Sequence, residues 1–195
     1  QSCAQKAGCQ IILTVRPGEF VEPTQAFAFI QPASASSNEL KAEIAKAILV
    51  ADAREEHHDI RFNIVNLAET ADRALSPAVN DPGTAINIMN VLLEVLARWA
   101  QLQKGDAADV SYDRVFMPPL TARELINDAF TPIARDGAGV VEIGVRLQKV
   151  LAALSRLGVP ELSEEAKAMS RVALELSDTA LISEHHRKRV RDAAV

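Results

Sequence analysis

Apolar residues along this chain change their period once. Between residues 11 and 30 they come in short β-branched and aromatic runs; beyond residue 39 they recur at steps of three and four. The first stretch predicts strands over 11–15, 20–21 and 26–30. Between the first two, Arg16-Pro17-Gly18-Glu19 has proline and glycine placed for a type II turn, whose third position needs φ > 0. Residues 31–37 read as a linker. The pattern thus divides the chain into a small β unit over 1–32, too little to be stable alone, and a helical domain over 33–195.

Six helices are expected in that domain. Ser36 with Glu39 forms a capping-box pattern that starts the first, over 39–53. The second, over 57–75, sets Ile60, Ile64, Leu67, Ala71 and Leu75 on one face and ends before Pro77. Asp81-Pro82 opens the third, over 82–103, because Asp is a strong N-cap and proline loses no hydrogen bond at the first helical position. In this helix Asn87, Asn90, Glu94, Arg98 and Gln101 form one narrow polar stripe, and the remainder is apolar or small. Such a helix is central to a core or sandwiched by a partner. A loop over 104–120 with a short strand at 112–116 follows. Thr121 and Glu124 then form a second capping box for a helix reaching Arg135. Two more helices are predicted, over 140–157 and from near Ser163 to Ala180, divided by Gly158 and Pro160. The basic run Arg187, Lys188, Arg189, Arg191 closes the last helix, where cations interact favourably with the dipole. The fold class is mainly α: a bundle of about six helices with a small N-terminal β unit.

Charge narrows the partners. With 26 acids against 21 bases and a net charge of −5, the chain lacks the basic face of a nucleic-acid binder. A hydrophobic content of 48% at this mild charge also excludes a disordered tail. The longest stretch free of Asp, Glu, Lys and Arg, 23–38, holds two prolines, four Ser or Thr and two Gln, far from the ~20 apolar residues of a membrane span. Cys3 and Cys9 could pair, hold a metal with outside help, or pack as small apolar side chains; two cysteines make no disulfide framework, which favours a reducing compartment. The opening Gln1-Ser2-Cys3 has no Met, signal peptide or N-cap and reads as cut from something longer.

Candidate chemistry is sparse. The densest hydrogen-bonding stretch is the junction 73–85, with Arg73, Ser76, Asn80, Asp81 and Thr84. Its structural reading makes Asp81 the cap of the third helix, Thr84 the support of that cap, and Asn80 the residue that accepts a strained turn. Its functional reading is a ligand site of those five residues at the positive end of the helix. Against the latter, the Asp81 carboxylate already stands where an anion would. All four histidines come in adjacent pairs, His57-His58 beside Glu55 and Glu56, and His185-His186 beside Glu184. Neighbouring helical residues point about 100° apart, so each pair offers one ligand at most, and the i,i+4 spacing of a helical metal site is absent. No phosphate loop, nucleophile elbow or Cys/His zinc pattern appears, so no catalytic residue, metal or cofactor is assigned.

Three strings carry a family resemblance: Val15-Arg16-Pro17-Gly18-Glu19-Phe20-Val21; Arg73-Ala74-Leu75-Ser76-Pro77-Ala78-Val79-Asn80-Asp81-Pro82 with Thr84-Ala85; and Val115-Phe116-Met117-Pro118-Pro119 ahead of a capped helix. Together they resemble the soluble C-terminal part of bacterial predicted membrane proteins of the domain-of-unknown-function family twenty-two fifty-four. The chain departs from that pattern at Val65-Asn66, where an Arg-Gln pair is usual, and at Asp72, where an apolar residue is usual. The resemblance implies membrane helices ahead of this domain, an inner-membrane location, and this domain on the cytoplasmic side. It brings no reaction. The resulting expectation is a non-catalytic domain acting in self-association, regulation or partner binding, a homo-oligomer joined to the membrane. The alternative is a small-molecule, anion-binding or enzymatic domain centred on the 73–85 junction.

Overall fold

A computed structural model of the chain describes residues 1–54, 59–104 and 112–194. Its elements are mainly α, with one three-stranded sheet, and they form two compact units. One unit comprises Gln1–Phe62 and Ala107–Pro119; the other comprises Asn63–Asp106 and Leu120–Val195.

The first unit is built on a sheet of order β2-β1-β3. Strand β1 (Gln10–Leu13) pairs antiparallel with β2 (Ala28–Gln31), Gln10 opposite Gln31 and Leu13 opposite Ala28. It pairs in parallel with β3 (Val115–Phe116), Ile11 opposite Val115. The sheet therefore reaches beyond the expected 1–32 unit, because its third strand comes from far along the chain. No strand forms over 20–21, where Phe20 is 88% exposed. A short helix that the sequence pattern does not announce, α1 (Ser2–Ala7), precedes the sheet and ends at Gly8 in the left-handed region. Helix α2 (Asn38–Lys46) is capped by Ser37, whose Oγ accepts from Leu40 N at 3.1 Å, not by Ser36. Ser36 instead closes the 3₁₀ turn Ala33–Ala35. The helix also stops seven residues short of residue 53, leaving Leu49 and Val50 exposed. Ala4, Cys9, Ile11, Leu40 and Ile44 make a small core. Both cysteines are free thiols, and Cys9 serves as a buried apolar side chain in that core.

Helix α3 (Ile60–Leu75) starts at the end of the first unit and buries Ile64, Ala68, Ala71, Ala74 and Leu75. Its expected first turn at His57 lies outside the described residues. The helical unit continues with α4 (Pro82–Leu102), α5 (Ala122–Asp136), α6 (Val141–Ser155), α7 (Pro160–Ala180) and α8 (Glu184–Arg191). Helix α4 is the spine foreseen from its composition. It buries Ile88, Met89, Leu92, Leu96 and Trp99, and the expected polar stripe, with Val91 and Leu102, is what faces outward. The Thr121–Glu124 box forms: Thr121 Oγ1 accepts from Glu124 N, and Glu124 Oε2 accepts from Thr121 N at 3.1 Å. Helix α7 begins at Pro160, three residues before Ser163, with the proline in the first turn where its missing N–H costs nothing. A break at Leu181–Ser183 separates α8, so the basic run belongs to its own short helix. That helix is held by Val190, buried with Val141 and Leu181. Between α6 and α7 the buried Gln148 donates to Ser170 O at 3.1 Å and accepts from Ser170 Oγ. Both polar side chains are satisfied, as a buried pair requires.

Candidate functional site

The junction between α3 and α4 is a chain of local hydrogen bonds. Ser76 Oγ donates to Arg73 O at 2.8 Å, Asn80 N to Ser76 O at 2.8 Å, and Asp81 N to Ala74 O at 2.8 Å. Asn80 takes φ 48, the left-handed conformation that Asn tolerates better than most side chains. Asp81 then caps α4: Oδ1 accepts from Thr84 N at 3.1 Å and Oδ2 from Thr84 Oγ1 at 2.5 Å. The Thr84 hydroxyl, the Thr84 N–H and the Gly83 N–H hold the Asp81 carboxyl below its ordinary range. Asn80, Asp81 and Thr84 are therefore engaged in making the turn and the cap.

Arg73 and Ser76 are placed differently. With Glu69, Asp72, Leu75, Pro77, Arg135 and Asp136 they line an open groove of about 830 Å³. The five residues grouped by sequence thus divide into two on a groove and three on a cap. The groove holds a cluster that sequence spacing does not reveal, because α3 and the end of α5 supply its members. Arg135 Nε donates to Asp136 Oδ1 at 2.8 Å and Nη2 to Asp136 Oδ2 at 2.6 Å, a two-pronged pair, and Nη2 also reaches Asp72 Oδ1 at 3.4 Å. The two carboxyls are pushed apart. Hydrogen bonding to Asp136, then burial, raises Asp72, whereas the Arg135 guanidinium holds Asp136 down at about 2. Asp72 is thus one half of an acid pair.

A second polar cluster lies in the sheet unit, on the Arg-Pro-Gly-Glu turn. Gly18 takes φ 82 and Glu19 N donates to Arg16 O at 3.2 Å, the turn foreseen from sequence. Burial pushes Glu19 up, but the Arg16 N–H and the guanidinia of Arg16 and Arg61 outweigh it and hold the carboxyl below its usual range. Arg16 Nη1 also donates to Pro119 O at 2.9 Å, fastening the turn to the segment after β3. Asp59 is packed directly over Gly18, where a Cβ would lie 1.8 Å from its Oδ2. That carboxylate accepts from Arg54 Nε at 2.8 Å and from Phe62 N at 3.0 Å, so it caps the start of α3. The Arg54 guanidinium stands 5.1 Å from the Phe62 ring centroid. Only the turn was legible in sequence; Asp59 lies too far along the chain for spacing to pair it with Gly18. The cluster is a structural clasp, every member of which is occupied by another.

His185 and His186 stand with ring centroids 5.9 Å apart at the start of α8. The other pair, His57 and His58, with Glu55 and Glu56, lies outside the described residues. Among the described residues no group of three His, Cys, Asp or Glu is placed to hold a metal ion, and no helix is long and apolar enough to cross a membrane.

A family model described as predicted membrane protein (DUF2254) matches residues 1–153, and the chain belongs to that family. No curated protein and no solved structure matches it.

Proposed function

We propose that this member of a predicted membrane-protein family is a non-catalytic, contact-making part of a bacterial integral membrane protein. Its tasks are self-association, regulation or partner binding, on the cytoplasmic side. The observation that carries this reading is where exposed apolar side chains fall. Phe20, Phe29, Tyr112 and Phe116, with Leu49, Val50 and Met117, are exposed and all belong to the sheet unit. Among the described residues, the exposed large apolar side chains of the helical unit are Val79, Val91, Leu102, Val172 and Ile182, none of them aromatic. Aromatic side chains and Met are enriched at protein contacts, while scattered aliphatic residues are ordinary surface. The self-association face therefore belongs on the sheet unit, not on α4. Sedimentation velocity over a wide concentration range tests it. The parent self-associates and Phe29→Ser with Phe116→Ser weakens the assembly; a parent that stays monomeric throughout removes self-association.

One observation favours a second reading, a small-molecule site. Carboxyls with pKa values driven apart are how a site divides acid and base roles, and Asp72 and Asp136 do this in a groove that Arg73 and Ser76 also line. On this reading the site is centred on Asp72 rather than Asp81. A thermal-shift screen of anions and nucleotides separates the readings, since a ligand at a hundred times its dissociation constant adds about 2.7 kcal/mol. A hit abolished by Asp72→Asn moves the assignment to the groove.

A further inference from the structure

The basic run of α8 is split by the fold into two sides with opposite fates. Arg187 donates to Glu184 at 2.8 Å and to Leu181 O at 3.0 Å. Arg191 is paired with Asp178 and Glu184, each at 2.9 Å. Arg189 points elsewhere. It lines an open groove of about 220 Å³ together with Arg146 and Lys149 of α6, with Ile86, Val145 and Glu142 completing the walls. Among the described residues, none of these three cations makes an ion pair or hydrogen bond with another group.

Arg146, Lys149 and Arg189, all exposed, bring three positive charges against the single carboxylate of Glu142 to one groove, in a chain whose net charge is −5. The helix dipole accounts for basic residues in the last turn of α8, but Arg146 and Lys149 lie mid-helix in α6, where the dipole contributes little. The arrangement is also fixed. Arg189 adjoins Val190, which is 1% exposed and packs so closely on Gly144 that a Cβ there would lie 2.9 Å from Val190 Cγ2. Gly144 in turn lies on the same helix as Arg146 and Lys149. The backbones that carry the three charges are therefore held together before any ligand arrives, which lowers the ordering cost of binding.

We propose that this groove binds the phosphate group of an anionic ligand, with Arg146, Lys149 and Arg189 as donors. Guanidinium groups suit phosphate oxygens because they can donate two parallel hydrogen bonds, and lysine adds a point charge. The groove is smaller than the roughly 300–1,000 Å³ of pockets that bury a drug-sized ligand, so it takes a head group and leaves the remainder outside. Ile86 and Val145 offer that remainder an apolar border. Glu142 opposes the anion and sets a ceiling on affinity, leaving two net positive charges.

The shared chemistry is a phosphate group, free or on a lipid. Titration calorimetry with inorganic pyrophosphate and flotation with phosphatidylcholine vesicles, with and without phosphatidic acid, distinguish the sources. The parent binds pyrophosphate, the phosphatidic acid vesicles, or both; pyrophosphate alone assigns a free phosphate, and vesicle binding that pyrophosphate competes away assigns a lipid head group. The Arg146→Gln/Arg189→Gln pair weakens whichever binds by about tenfold or more, and Glu142→Gln strengthens it. The pair Lys167→Gln/Arg171→Gln on α7 removes the same charge and leaves affinity within about twofold. Failure of both probes to bind, or an equal loss in the α7 pair, overturns the proposal.

Discussion

In the helical unit Phe130, Met89, Leu92, Leu96 and Leu125 are fully buried, and α4 to α7 share one continuous core. In the sheet unit the core is Ala4, Cys9, Ile11, Leu40 and Ile44, and several of its aromatic side chains stand in solvent. What the sheet unit lacks in apolar volume it replaces with polar clasps: Arg16 on Glu19 and Pro119 O, Arg54 on Asp59, and Asp59 over Gly18. A core of large side chains is sensitive to lost volume, because the cavity left behind collapses only in part. A clasp is sensitive to backbone geometry instead. The two units should therefore fail under different substitutions.

The largest effect is expected in the helical core. Phe130→Ala should cost about 3–5 kcal/mol in denaturant melts, while Phe29→Ala on the exposed face of β2, melted at a concentration where the protein is monomeric, should stay within about 0.5 kcal/mol. Equal losses at the two positions would break the contrast. Next comes Gly18→Ala. The new Cβ meets Asp59 Oδ2 at 1.8 Å and the residue must hold φ 82, so overpacking and backbone strain add to roughly 3 kcal/mol. Gly8→Ala is the reference: φ is 63, nothing lies within 4 Å, and only the strain of about 1 kcal/mol remains. Hydrogen exchange should place the Gly18→Ala loss in the sheet unit. If the two glycine variants behave alike, Asp59 is not what the turn is built around.

The same division explains how much could be read from sequence. Signals confined to one turn or one helix face were legible: the Gly18 turn, the Thr121–Glu124 box, the Asp81-Pro82 start and the polar stripe of α4 all stand as expected. Helix α1 escaped because six residues show no period and its Gln1 cap makes no side-chain bond. The end of α2 escaped because Leu49 and Val50 extend an apolar pattern although both stand in solvent. The division of the last helical stretch into α7 and α8 followed no glycine or proline. Partners far apart in sequence escaped altogether: β3 beside β1, Asp59 over Gly18, Asp72 beside Asp136, and Arg189 facing Arg146. The candidate site was legible as a cap and not as a groove, since a cap is local and a groove is assembled.

A pH experiment sharpens the picture at the groove. Asp136 is held at about 2 by Arg135, below its ordinary 3.8, so its pairing stabilises the fold above the ordinary value and is lost as pH falls from about 4 toward 2. Asp72 is raised, so the fold favours its protonated form and carries its charge at a cost once pH rises through the shifted value. On acidification Asp72 therefore takes its proton before Asp136 does. Carboxyl carbon NMR should show two separate steps belonging to the pair. Arg135→Gln should move the lower step up toward the ordinary carboxylate range. A lower step that does not move would mean that Arg135 is not its cause.

The smallest effect is expected at Asp81, and it decides what the junction is for. The carboxylate accepts from Thr84 N and Thr84 Oγ1 in a fully local arrangement, so any side chain that can accept from a helix N–H should replace it. Asp81→Asn and Asp81→Ser should melt close to the parent, and Asp81→Ala should melt lower than both. The depressed carboxyl also sets a pH signature: its contribution is present above the ordinary 3.8 and is lost as pH falls through the lower folded value. Asp81→Asn caps without a charge and should lose that pH dependence while keeping stability at neutral pH. A ligand-holding Asp81 would show the reverse, with stability unchanged in all three variants and binding lost in Asp81→Asn. Because Asn80 at φ 48 and Pro82 fix the backbone on either side, the side chain has little room to leave the cap, and the melts should fall in the capping order.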